Sequence, residues 1–86
     1  MYELEQTPAF RASVRKLDNR QRRLLDRAYD VLKETPMDSA AHEEITFLSK
    51  RKDHGLFRYR LPGVYIHYAV HEKIPVVTLT RVQSLR

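Results

Sequence analysis

Eighty-six residues, 42% hydrophobic and 31% charged, have the length and composition of one thin-cored globular domain. The lack of cysteine excludes disulfides and thiolate catalytic or metal sites within the chain, and suits a reducing cytoplasm. No stretch approaches the ~20 apolar residues needed to cross a bilayer, and the opening MYELEQTPAF has no basic-then-apolar export pattern, so neither a membrane nor a secreted role is expected.

The net charge of +5 is unevenly placed. Residues 1–44 hold eight Lys and Arg against nine Asp and Glu, while residues 45–86 hold eight against two, nets of −1 and +6. A basic second half suits nucleic acid, an anionic membrane surface or an acidic protein.

In chain order, Tyr2 and Leu4 alternate with Glu3 and Glu5 as a short strand does. Thr7-Pro8 then opens a helix, with Thr7 as cap and Pro8 in the first turn; Phe10, Val14 and Leu17 line one face. Asp18-Asn19 breaks and recaps. A second helix over 20–35 carries the stripe Leu24, Leu25, Ala28, Tyr29, Val31 and Leu32, and Pro36 stops it. The two form an antiparallel helical hairpin. Residues 37–43 read as a loop. The period then becomes two. Ile45 and Phe47 suggest a strand giving out in the polar stretch Ser49–Gly55, with Lys50, Arg51 and Lys52 in an exposed loop that could grip phosphates. Phe57, Tyr59 and Leu61 alternate with Arg58 and Arg60. Pro62-Gly63 is a turn, and Val64, Ile66, Tyr68 and Val70 alternate with Tyr65, His67, Ala69 and His71. Glu72-Lys73 is a weaker turn before the β-branched run Ile74–Val82.

The expected class is α+β, in the order βααβββ, one domain over residues 1–86. An N-terminal helical hairpin packs on one face of a small, mainly antiparallel curved sheet. The simplest register buries Val64, Ile66, Tyr68 and Val70 with Phe57, Tyr59 and Leu61, and gathers Arg58, Arg60, Tyr65 and His67 on the open face.

Several of these segments resemble the RelE/ParE toxins. They are Tyr2…Thr7-Pro8-x-Phe10…Lys16-Leu17, the helical hairpin ending at Pro36, Gly55-Leu56-Phe57-Arg58-Tyr59-Arg60-Leu61-Pro62-Gly63-Val64-Tyr65, Ile66-His67-Tyr68 and Leu79-Thr80-Arg81-Val82. The resemblance implies a toxin neutralised by an antitoxin from the same operon. In the RelE branch such toxins cut mRNA in the ribosomal A site; in the ParE branch they poison DNA gyrase. It further implies that Arg58 and Arg60 flank the cut phosphate and that Arg81 stabilises it. This chain departs from the pattern in having Gly63-Val64-Tyr65 where an arginine usually follows the turn, with Tyr65 at or beside that place. It also closes at Arg86 without the terminal His or Tyr of several ribonuclease members. Its Leu-Thr-Arg-Val ending leans toward the ParE pattern, and a non-toxic binding module of the same fold is a third possibility.

RNA cleavage of this kind needs a base for the 2′-hydroxyl proton, cations for the phosphorane and an acid for the leaving oxygen, and no cofactor or metal. Arginine suits the second task and is too weak a base for the first. His67 is the foremost candidate base, with Glu44 behind it; Tyr65 could stack on a nucleobase. His42, His54 and His71 have no ligand spacing, so no metal site is expected.

Overall fold

The structure, a computed structural model, describes residues 1–37 and 43–85. His42, Arg86 and most of the stretch read as a loop over 37–43 therefore lie outside the described residues. Those described form β1 (Glu3–Gln6), α1 (Pro8–Arg15), α2 (Asn19–Glu34), β2 (Ile45–Arg51), β3 (His54–Leu61), β4 (Val64–His71) and β5 (Val76–Ser84). No helix among them is long and apolar enough to cross a membrane.

Both helices begin where the side chains dictate. Thr7 Oγ1 accepts from the Phe10 N–H at 3.1 Å, with Pro8 in the first turn, where a missing N–H is harmless. Asp18 accepts from the Gln21 N–H at 2.8 Å while Gln21 Oε1 accepts from the Asp18 N–H at 3.1 Å. This reciprocal pair satisfies two otherwise orphaned donors and contributes about 1 kcal/mol. The helix ends at Thr35, whose N–H donates to Val31 O, and Pro36 bars continuation.

The sheet runs β1-β5-β4-β3-β2. β1 lies parallel to β5, and the other pairings are antiparallel. The helical hairpin covers one face. Phe10, Leu17, Leu25, Ala28 and Leu32 meet Phe57, Tyr59, Leu61, Val64, Ile66, Tyr68, Val70, Val77, Leu79 and Val82 there in one core. The Tyr68 hydroxyl, deep in that core, donates to Pro36 O at 2.7 Å, so burying the phenol leaves no polar atom unpaired.

The α+β class, the hairpin on one sheet face and the mainly antiparallel sheet are as expected. The five strands fall at the five segments read as strands, so the order is βααββββ, one strand more than βααβββ counts. Residues 45–51 are a full strand pairing along β3 as far as Arg51↔His54, and the chain reverses at Lys52-Asp53. Lys50 and Arg51 are therefore strand residues and not loop residues, because cross-strand hydrogen bonding outweighs the local polarity of the segment. At the other end, β5 starts at Val76, leaving Ile74 exposed outside it.

Candidate nucleic-acid interface

The Pro62-Gly63 turn sets the site. Gly63 has φ +75°, a conformation strained for any residue with a Cβ, and the turn pins Leu61 opposite Val64. Counting back from it, Arg60 faces Tyr65 and Arg58 faces His67. Directly opposed residues of antiparallel strands share a face, with Cβ atoms about 4.5–5.5 Å apart. All four thus stand on the face away from the helices.

On β5 strict alternation would put Arg81 on the covered face with Val77 and Leu79. A bulge prevents this: Tyr68 pairs with Leu79 but His67 pairs with Arg81, leaving Thr80 as the extra residue. Beyond the bulge Val82 enters the core, while Arg81 and Gln83 join the open face. Helix α1 and its cap hold the irregular segment. Thr7 Oγ1 donates to the main-chain oxygens of Leu79 and Thr80 (3.2 and 3.1 Å), and Ser13 Oγ accepts from the Val82 N–H at 2.9 Å. Thr80 Oγ1 donates to His67 O at 2.9 Å across the bulge.

The result is a grid. One row across the sheet reads Thr46, Arg58, His67, Arg81; the next reads Arg60, Tyr65, Gln83. His67 lies between two guanidinium-bearing residues. Its pKa is lowered, first by burial; the Gln83 hydrogen bond works in the opposite direction, and the charges of Arg81 and Arg58 lower it further. Imidazole Nε2 lies 3.3 Å from Gln83 Oε1; with the amide in that orientation Nε2 is the donor, the tautomer that leaves Nδ1 as the basic lone pair. Arg58 packs its guanidinium over the Tyr65 ring, 4.4 Å from the centroid. Its Nε is buried without a hydrogen-bond partner among the described residues. No ion pair involves Arg58, Arg60 or Arg81 among the described residues.

Five of the residues singled out from sequence thus meet: Arg58, Arg60, Tyr65, His67 and Arg81. Glu44 stands at the margin, lining a shallow cavity with Arg60 and the Pro62-Gly63 turn. Its main-chain oxygen accepts from the Arg60 N–H at 2.8 Å, but its charge acts on the Tyr59 hydroxyl, a residue of the covered face. The run Lys50-Arg51-Lys52 is split: a second bulge at Leu48 sends Lys50 to the helix side, where it pairs with Glu72 at 2.9 Å, turns Arg51 to the open face and leaves Lys52 in the turn. Sequence reading missed Gln83, Thr80 and Ser13. The one local signal was the pair Thr80-Arg81 between the core residues Leu79 and Val82, which breaks the period of two.

No protein-family model matches the sequence, and no curated protein matches it significantly. Solved structures do match in fold. An archaeal RelE–RelB complex from Pyrococcus horikoshii OT3 superposes with a TM-score of 0.83 at 19% identity, covering 98% of this chain and 94% of that one. The isolated E. coli RelE toxin gives 0.79 at 22% identity, covering 100% and 86%. The toxin–antitoxin complex RelBE2 from Mycobacterium tuberculosis gives 0.63 at 19%, covering 96% of each. The chain therefore has the RelE fold.

Proposed function

We propose that residues 1–86 form the toxin of a type II toxin–antitoxin module, acting in the cytoplasm, and that the open sheet face cleaves messenger RNA on the ribosome. The observation that carries this reading is the row Arg58, His67, Arg81, with an imidazole of lowered pKa set between two guanidinium groups that make no ion pair among the described residues. The RNA's own 2′-hydroxyl is the nucleophile. His67 Nδ1 takes its proton as the oxygen attacks the adjacent phosphorus. Arg58 and Arg81 hold the two charged oxygens of the phosphorane. The P–O5′ bond then breaks, and the leaving oxygen takes a proton from water, giving a 2′,3′-cyclic phosphate and a 5′-hydroxyl. Arg60 and Tyr65, one row away, hold the neighbouring nucleotide by charge and stacking.

A cognate antitoxin is the expected protein partner. Its support is the complexes of like fold and the exposed Phe47 and Leu48 on the edge strand β2, apolar surface that a partner would cover.

The test is to induce this chain without its neighbouring gene and map mRNA ends by primer extension. Cuts within translated messages, abolished by Arg58→Ala with Arg81→Ala, are expected. Growth arrest with intact mRNA and trapped gyrase–DNA complexes would transfer the chain to the gyrase-poison reading. Absence of any arrest would mark it as a binding module.

A further inference from the structure

A second row crosses the same open face toward the β2–β3 turn. Arg51 pairs with His54, and His54 with His71; the two imidazole rings are 6.0 Å apart. On β3, residues 54, 56 and 58 alternate onto one face, and on β4 residues 67, 69 and 71 do so, so this row and the Arg58 row look the same way. They are four positions apart along each strand, roughly 13 Å, the reach of about two extended nucleotide units. Between the rows lie Leu56 and Ala69, and beside the Arg58 row a cleft of about 190 Å³ runs from Leu48 and Leu56 to His67, Thr80 and Arg81, with Phe57 and Tyr68 also in its lining.

The local charges leave Arg51 unneutralised. The second half of the chain has two acids, Asp53 and Glu72. Lys50 engages Glu72 at 2.9 Å on the opposite side of the sheet, and Lys73 lies 3.9 Å from Asp53. Arg51 is exposed and in no ion pair among the described residues. Each neighbouring imidazole offers one N–H donor in either neutral tautomer. The row thus presents a permanent cation, in no ion pair among the described residues, and two donors.

We infer that Arg51, His54 and His71 bind a second phosphate of the substrate strand, about two nucleotides from the phosphate that is cut, with the two intervening bases lying over Leu56 and Ala69. This rests on the reading of the open face as an RNA-cleaving surface and extends it to the length of single-stranded RNA engaged.

The test uses the full chain and fluorescence anisotropy with end-labelled 2′-O-methyl RNA, which lacks the nucleophile, of two and of six nucleotides. The hexanucleotide should bind about tenfold more tightly than the dinucleotide, with a steeper salt dependence. Arg51→Ala with His54→Ala and His71→Ala should remove most of that length advantage and flatten the salt slope. Arg51→Glu alone, at an exposed position, should reproduce most of the loss if the triple variant folds poorly. Equal affinity for the two oligonucleotides, an undiminished length advantage in both variants, or no RNA binding at all overturns the inference. Cuts in cellular mRNA alongside any of those results leave the proposed function standing, whereas their absence removes it separately.

Discussion

The two faces of β4 are built from alternate residues of one eight-residue strand, yet they are under different physical demands. Val64, Ile66, Tyr68 and Val70 are at most 1% exposed beneath the helices. What matters there is volume, shape and the absence of unpaired polar groups. Tyr65, His67 and His71 are half-buried on the other side, among guanidinium groups that lack carboxylate partners among the described residues. On the proposed function, what matters there is charge and position. One strand can thus serve stability and chemistry at once, because successive side chains point opposite ways.

Substitutions should separate the two demands. The largest effect is expected from Arg58→Ala with Arg81→Ala, which should lower mRNA cleavage on programmed ribosomes by about 10⁴-fold or more while barely moving the urea midpoint of unfolding. A large loss of stability in that variant would mean that the open face is structural after all. Ile66→Ala on the covered face should do the converse, costing about 2–5 kcal/mol in urea unfolding with cleavage per folded molecule retained.

Replacing His67 by Ala should slow cleavage about 10²-fold. In the parent chain the rate should rise with pH as His67 loses its proton and level off at a pH below the ordinary histidine value, because its pKa is lowered. Arg81→Ala removes a positive charge beside the ring, so an NMR titration of His67 in that variant should move to higher pH. Ser13→Ala tests where the two faces meet. It leaves the Val82 N–H without its acceptor and should cost about 1–3 kcal/mol, with faster hydrogen exchange at Val82. Smallest of all, Gln83→Ala should reduce cleavage a few-fold and shift the His67 titration to lower pH, since the lost hydrogen bond is the contribution that raises its pKa. An unchanged titration would show that Gln83 does not orient the ring.

Much of this was readable in the residues themselves. Thr7 and Asp18 announced the helix starts, Pro36 the end of α2, and Pro62-Gly63 the central hairpin. The grouping of Arg58, Arg60, Tyr65 and His67 was the simplest arrangement that hairpin allows, and the pairing of β3 with β4 fixes it. The edge strand was harder: Ser49, Lys50 and Arg51 look like loop residues until β3 supplies their hydrogen-bond partners. Arg81 was harder still. Its facing depends on one extra residue in β5, and that bulge is held by Thr7 and Ser13, 69 or more positions earlier in the chain.

The sequence by itself therefore determined the period of each element, the turns and which residues share a strand face, since these depend on neighbours a few positions apart. Only the tertiary structure decided where β4 and β5 slip relative to one another, that Gln83 meets His67, and that Arg51 and Lys50 part to opposite sides. Those outcomes depend on bulges, and a bulge is chosen by the partners available to the main-chain groups it frees. Such partners come from distant parts of the chain, brought close only when the helices close over the sheet.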